Sequence, residues 1–98
     1  MKVSVQSIHF DADRKLLELI QQKCDKLDHF YDQVIDANVR LRLDKDPIQG
    51  NKLAELVLQV PGAQLVASDQ GKTFEGAFDN CTEQMRKQLV KYKEKQRP

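Results

Sequence analysis

Several residue types that carry recognisable chemistry are scarce in this chain. It has no tryptophan, 6% aromatic residues, two cysteines and two histidines. Cys24 and Cys81 lack the CxxC or zinc-ligand spacing of a metal site, and each lies on the apolar stripe of its own predicted helix. We therefore interpret both as buried, reduced thiols that pack as small hydrophobic side chains, with a disulfide or redox role as the alternative.

Long apolar stretches are also missing. No run approaches the ~20 apolar residues that a membrane-spanning helix needs. The first residues, Met-Lys-Val-Ser-Val-Gln, lack the apolar core of a signal peptide, so we expect a cytoplasmic protein without a membrane partner. The 98 residues, 40% of them hydrophobic, suit one domain that spans residues 1–98 and has a single core.

The sequence offers no catalytic constellation. His9 and His29 lie far apart and fit no ligand motif. The aspartates are dispersed, and none shares a predicted face with a histidine as acid–base chemistry requires. We predict no enzyme activity, no metal site, no cofactor and no small-molecule substrate.

Hydrophobic periodicity predicts six elements in the order β-α-β-β-β-α. The alternation of the first strand slips by one residue near Ser7, so this strand either carries a bulge or ends there. Asp11 or Asp13 caps the first helix, with Asp13 the better fit to the periodicity, and Thr73 caps the last. The strands are predicted at residues 2–10, 35–43, 53–60 and 64–68, with an apolar helical face from residue 16 and a final helix within 73–97.

These elements predict an α+β fold. The last three strands are joined by short polar turns and form an antiparallel meander, and the first strand joins an edge of that sheet. Each helix has one apolar face, so we expect both helices to pack side by side on one face of a four-stranded sheet. The opposite face is predicted to remain in water and to carry Arg40, Arg42, Glu55 and Gln59.

The final helix combines an apolar stripe with two rows of positive charge. The stripe consists of Phe74, Phe78, Cys81, Met85, Leu89 and Tyr92. Lysines recur every four residues along one flank, at Lys87, Lys91 and Lys95. A second row of cations follows the other flank, at Arg86, Lys93 and Arg97. These rows are either solvated flanks or contacts to the phosphates of a polyanion, which lysine neutralises without reading bases.

The net charge of the chain is small, but the charge is segregated. Six aspartates fall between residues 25 and 46 and offset the basic final helix, which leaves a formal net charge of +1. Aromatic residues are not interleaved with the cations on the exposed side of that helix. The pattern therefore favours recognition of structured RNA by shape and charge over recognition by base stacking.

Two segments match motifs of a known family. Leu65-Val-Ala-Ser68 precedes a helix that ends Arg86-Lys-Gln-Leu-Val-Lys-Tyr-Lys-Glu-Lys95, and Lys23-Cys-Asp-Lys-Leu27 ends the first helix. The corresponding family patterns are a V/I-x-A-S strand, a helix closing on R-Q-L-x-K-x-K-x-K, and a basic-x-x-Lys-Leu segment. In these features, and in its order of elements, essentially the whole chain resembles the short ribosome hibernation-promoting factors, also called ribosome-associated inhibitors or sigma-54 modulation proteins.

The resemblance implies a function. Members of this family bind the small ribosomal subunit in the channel for messenger and transfer RNA, inhibit translation, and preserve idle ribosomes during starvation or stationary phase. Basic residues on their two helices contact ribosomal RNA. The positions implied in this sequence are Lys23, Lys26, Lys87, Lys91 and Lys95, with Arg86, Lys93, Arg40 and Arg42 as secondary candidates. We expect the free protein to be a monomer.

Some positions depart from the family pattern. Leu17 stands where members often carry arginine. Lys87 stands where arginine is common, which keeps the charge but loses the bidentate guanidinium. We also expect no counterpart of the C-terminal domain with which long members pair ribosomes. The alternative hypothesis is a protein-binding regulator that modulates a sigma factor without direct RNA contact.

Overall fold

The structure is a computed structural model that describes residues 1–45 and 50–95. Its elements are β1 (Lys2–Ile8), α1 (Arg14–Phe30), β2 (Asp36–Leu43), β3 (Lys52–Val60), β4 (Ala63–Gly71) and α2 (Phe74–Lys95). This order confirms the predicted β-α-β-β-β-α arrangement and the α+β fold. The predicted turn residue Pro47 and the cation Arg97 lie outside the described residues.

The four strands form one sheet in the order β1-β2-β3-β4. The β2–β3 and β3–β4 pairs are antiparallel, which confirms the predicted meander. β1 runs parallel to β2 and occupies the edge beside it, a choice of edge that the sequence left open. Because a hairpin cannot join parallel neighbours, α1 serves as the crossover between β1 and β2.

β1 ends where its hydrophobic alternation slips. Its last residue is Ile8, and His9 follows with a φ of 68°, in the left-handed region. This bend directs Phe10 against the core, where its ring stacks on that of Phe74 with centroids 4.6 Å apart. Of the two alternatives, the strand end is correct and the bulge is wrong.

Side-chain caps fix the starts of both helices. The backbone N–H of Leu16 donates to Oδ1 of Asp13 over 2.8 Å, which confirms Asp13 as the cap of α1. The N–H of Gly76 donates to Oγ1 of Thr73 over 3.0 Å at the start of α2. Each bond satisfies a donor that the first turn of a helix leaves without an intrahelical partner.

The core lies between the two helices and one face of the sheet. The helices contribute Leu16, Ile20, Cys24 and Leu27 from α1, and Phe74, Phe78, Cys81, Met85 and Leu89 from α2. The inward positions of the strands are also buried, at Ala37, Val39, Leu41, Ala54, Leu56, Leu58, Val60 and Ala67. Burial of both cysteines agrees with their interpretation as small core side chains.

Two predicted details of the sheet are wrong. β4 does not stop at Ser68 but continues through Gly71, because its polar end still pairs in register with the start of β3. Backbone hydrogen bonds between strands do not require apolar side chains where the sheet is exposed to solvent. The alternation of Ala37, Val39 and Leu41 predicts that Leu43 also faces the core, but it is 47% exposed because it is the last residue of β2 and lies at the end of the sheet.

The two helices run in the same direction. Phe10, just before α1, contacts Phe74 at the start of α2. At the other end, the rings of Tyr31 and Tyr92 meet edge to face with centroids 6.2 Å apart. The hydroxyl of Tyr92 also donates to the carbonyl oxygen of Pro61 in the β3–β4 turn. Neither described helix has the length and apolar character to cross a bilayer.

Candidate nucleic-acid interface

The outer surface of the two helices contains a groove with basic walls. Lys23 and Lys26 line it from α1, and Arg86 lines it from α2. Leu27, Phe30 and Thr82 form the rest of its lining together with Glu83. The helical spacing of Lys23 and Lys26 places both beside the buried positions of α1, on the flank that faces α2. The groove therefore joins two of the lysines implied by the family resemblance to an arginine that was a secondary candidate.

Two acids pair with cations that line this groove. Nζ of Lys23 lies 2.5 Å from Oδ1 of Asp79, in the one ion pair that links α1 to α2 among residues 1–45 and 50–95. Nη2 of Arg86 lies 3.2 Å from Oε2 of Glu83, one turn earlier on the same helix. Lys26 lies beside them, is exposed, and has no ion-pair partner in the described part of the chain.

The row Lys87, Lys91 and Lys95 lies on the other flank of α2. The side-chain amide of Gln88 donates to the carbonyl oxygen of Val66 over 2.8 Å, so this flank borders the free edge of β4. Lys91 and Lys95 follow Gln88 by about one and two helical turns and lie on the same side. The family resemblance also implies that this row pairs with Lys23 and Lys26 across the interhelical groove. That pairing is wrong, because Arg86 lines the groove and the row lies on the opposite flank.

The three lysines of this row are available for contacts with a partner. All three are exposed, and none has an ion pair or side-chain hydrogen bond within residues 1–45 and 50–95. Long flexible ammonium groups in water at four-residue intervals present a line of charge about 6 Å apart along the helix axis. Such a line is suited to neutralising successive phosphates.

Lys93 has a structural contact. Its Nζ donates to the carbonyl oxygen of Phe30 over 3.2 Å and lies 4.8 Å from the centroid of the Phe30 ring. Phe30 is the last residue of α1, so the ammonium group lies at the negative end of that helix. Among the secondary candidates, Lys93 is thus held at the junction of the two helix ends.

Arg40 and Arg42 lie on the opposite side of the sheet. They alternate with the buried residues Val39 and Leu41 along β2, so their side chains leave from the face that no helix covers. One guanidinium nitrogen of Arg40 lies 4.0 Å from the carboxylate of Glu55 on β3. The sheet therefore separates these two arginines from all candidate cations on the helices.

The two cysteine thiols have low reactivity near neutral pH. Burial, with a smaller contribution from the charge of Asp25, raises the pKa of the Cys24 thiol from 9.0 to about 12. Burial also dominates at Cys81, where the charge of Asp69 adds to it and the pKa again rises to about 12. Thiols with such pKa values stay protonated near neutrality and are poor nucleophiles. The described residues contain no group of three or more His, Cys, Asp or Glu side chains placed to hold a metal ion.

Asp79 and Glu83 belong to this surface but were not among the predicted site residues. Their spacing carried the necessary signal, because Asp79 precedes Arg86 by seven residues and so lies on the same flank of α2. It did not identify which flank faces α1. That depends on the tertiary packing of α2 over β3 and β4.

Comparisons with known proteins agree on the fold and the family. Residues 3–97 match the family model described as sigma 54 modulation protein / S30EA ribosomal protein. A ribosome hibernation promoting factor of Pseudomonas putida is 26% identical over 96 residues, which cover 98% of this chain and 90% of the relative. One of Escherichia coli is 24% identical over 95 residues, covering 97% and 96%.

Solved structures have the same fold. A ribosomal subunit interface protein from Coxiella burnetii superposes with a TM-score of 0.83 at 18% identity, covering 95% of this chain and 98% of that one. The N-terminal domain of Protein Y from Thermus thermophilus gives a TM-score of 0.79 at 17% identity, covering 94% and 99%. Since the family model spans nearly all residues, the chain belongs to the sigma 54 modulation protein / S30EA ribosomal protein family.

Proposed function

We propose that this protein is a ribosome hibernation factor. It binds the small ribosomal subunit in the channel for messenger and transfer RNA, inhibits translation and preserves idle ribosomes in the cytoplasm. It acts by occupancy, without a catalytic step, and it is a monomer when free. The observation that carries the proposal is the exposed row Lys87, Lys91 and Lys95 in a chain whose relatives are named ribosome hibernation promoting factors.

The RNA-binding surface in this proposal is the outer face of the helical layer. Lys87, Lys91 and Lys95 contact phosphates directly, because they are exposed and have no ion-pair partners among the described residues. Lys26 contributes from α1 for the same reason. Each phosphate neutralised by lysine releases a condensed counterion, which makes binding sensitive to salt.

The remaining cations have different roles in the proposal. Lys23 and Arg86 reach phosphate from the groove, where both already have acidic neighbours. Lys93 holds the helix ends together and is not a principal RNA contact. Arg40 and Arg42 project from the other face of the sheet and do not reach RNA that lies on the helices.

Co-sedimentation with purified small subunits tests this proposal. The wild-type protein should pellet with the subunits at low salt and dissociate progressively as salt rises. Lys87→Glu with Lys91→Glu should weaken binding at least tenfold, since two contacts become repulsive. Neutralising only Lys91, in Lys91→Gln, should lower the slope of log affinity against log salt by about 1.

A matched control variant has the same net charge as Lys87→Glu with Lys91→Glu. Lys45→Glu with Lys72→Glu changes the charge equally but lies in the loops at the other end of the helices. This control should bind almost as well as the wild type. Equal binding by both double variants would contradict the assigned surface. An interaction that survives nuclease treatment, with no binding to subunits, would instead support the protein-binding regulator.

A further inference from the structure

We infer that Asp79 and Glu83 restrain the affinity of the interhelical groove for RNA and so limit binding to RNA of unrelated shape. The inference rests on the proposed function. Its physical basis is that each acid is paired with a cation that would otherwise face a phosphate. The acids thereby act as specificity determinants within a basic surface.

The Lys23–Asp79 pair is the stronger restraint. The Lys23 side chain is only 28% exposed, so the groove walls confine its ammonium group near the carboxylate of Asp79, which is 52% exposed. A phosphate that contacts Nζ of Lys23 must displace this carboxylate or approach it closely. Like charges at such a separation repel, and because Asp79 is about half exposed, salt screens part of this repulsion.

The Arg86–Glu83 pair is the weaker restraint. The hydrogen bond from Nη2 of Arg86 to Oε2 of Glu83 uses one donor of the guanidinium group, which has five. Arg86 can therefore keep Glu83 and still present donors to a phosphate. Both side chains are more than half exposed, so water and salt screen their interaction.

The two acids lower the net positive charge of the groove but not that of the lysine row. Three groove cations face two acids, whereas Lys87, Lys91 and Lys95 have no acidic partner in the described residues. RNA of arbitrary shape binds through charge alone and is disfavoured at the groove. RNA that fits the whole helical surface also contacts the lysine row and Lys26. These contacts offset the free-energy cost of replacing Asp79 by a phosphate as the partner of Lys23.

The test compares two acid-to-amide variants with a control of equal charge. Asp79→Asn and Glu83→Gln each remove one negative charge from the groove. Glu18→Gln removes one from an exposed ion pair with Arg14, away from the groove. Affinity for a random-sequence RNA duplex and for small ribosomal subunits is measured for each protein, after circular dichroism has confirmed that it is folded.

Asp79→Asn should raise affinity for the duplex about two- to fivefold above Glu18→Gln, the range expected for one exposed ion pair. Glu83→Gln should give a smaller gain, and affinity for subunits should rise less than affinity for the duplex. A change no larger than that of Glu18→Gln, or weaker binding, would overturn the inference. If Asp79→Asn does not fold well, Glu83→Gln alone decides by the same comparison.

A double-mutant cycle tests whether Asp79 acts through Lys23. In a Lys23→Gln background, Asp79→Asn should have little further effect on duplex affinity, because the cation that it restrains is gone. An undiminished effect would contradict the pairing mechanism. Failure of the wild-type protein to bind small subunits would reject the proposed function separately, since the duplex measurements do not depend on it.

Discussion

Nζ of Lys93, near the end of α2, donates a hydrogen bond to the carbonyl oxygen of Phe30, the last residue of α1. The same ammonium group lies over the Phe30 ring, 4.8 Å from its centroid. One cation therefore satisfies a terminal carbonyl, lies at the negative end of a helix dipole and contacts an aromatic face. These contacts give Lys93 a structural role, although it lies in a row of candidate RNA contacts.

Replacing Lys93 should lower the stability of the fold more than it lowers the affinity for RNA. We expect Lys93→Ala to lower the free energy of unfolding by about 1 kcal/mol, from the lost helix-end and cation–π contacts. Urea denaturation measures the change. Lys95→Ala removes an exposed lysine two residues later and should change the free energy of unfolding by less than about 0.5 kcal/mol. Equal losses in the two variants would show that the Phe30 contact contributes little.

Gly50 should tolerate alanine much less well than Gly62. Both have positive φ, 99° and 82°, but a Cβ at Gly50 would lie 2.3 Å from backbone atoms of Gly71. At Gly62 the nearest atom is the Tyr92 hydroxyl at 3.5 Å, an ordinary contact. We expect Gly62→Ala to cost about 1 kcal/mol from backbone strain alone. Gly50→Ala should cost at least twice that, as measured by thermal or urea unfolding, and similar costs would contradict the close approach.

The two buried thiols should make the protein less stable at high pH. Their pKa values are about 12 in the folded state against 9.0 for the exposed groups. Below pH 9 the thiols are protonated in both states, and above it they ionise in the unfolded chain first. The free energy of unfolding should therefore fall as pH rises from 9 towards 12, by up to about 1.4 kcal/mol per pH unit for each thiol.

The contribution of the thiols can be isolated by substitution. A variant with Cys24→Ala and Cys81→Ala is less stable at neutral pH because it loses core packing. Its unfolding free energy should nevertheless decline less steeply between pH 9 and 10.5 than that of the wild type. Identical slopes in the two proteins would contradict the raised pKa values.

The arginines on the open face of the sheet should be dispensable for RNA binding. Arg40→Gln with Arg42→Gln removes two positive charges, as many as Lys87→Gln with Lys91→Gln. We expect the first pair to change affinity for small subunits by less than about threefold and the second to weaken it by about tenfold or more. Filter binding at fixed salt compares them. A larger loss from the arginine pair would place RNA on the sheet.

Hydrophobic patterning predicted most of the fold because each element is amphipathic. Alternation in β2 and β3 identified every inward residue from Ala37 to Leu41 and from Ala54 to Val60. Asp13 and Thr73 marked the helix starts because their oxygens are suited to capping. The extension of β4 beyond Ser68 escaped prediction because backbone pairing with β3, rather than side-chain pattern, holds it.

The surface was less predictable than the core. Periodicity separated the two cationic flanks of α2 but could not identify which of them faces α1. That choice depends on how Phe78, Cys81 and Met85 seat the helix on the sheet. The packing brings Arg86 to the groove and turns Lys87 away from it. The acidic partner of Lys23 also lies 56 residues away along the chain, beyond the reach of local sequence patterns.

Site-specific photo-cross-linking to small ribosomal subunits tests directly whether the outer face of the helices contacts ribosomal RNA. A photoreactive residue at Gln84, an exposed position beside Lys87 and Lys91, replaces no proposed contact. A second at Asn38, exposed on the open face of β2, serves as the matched control. We expect cross-links to ribosomal RNA from position 84 and none from position 38. Cross-links to RNA from position 38 alone would contradict this expectation.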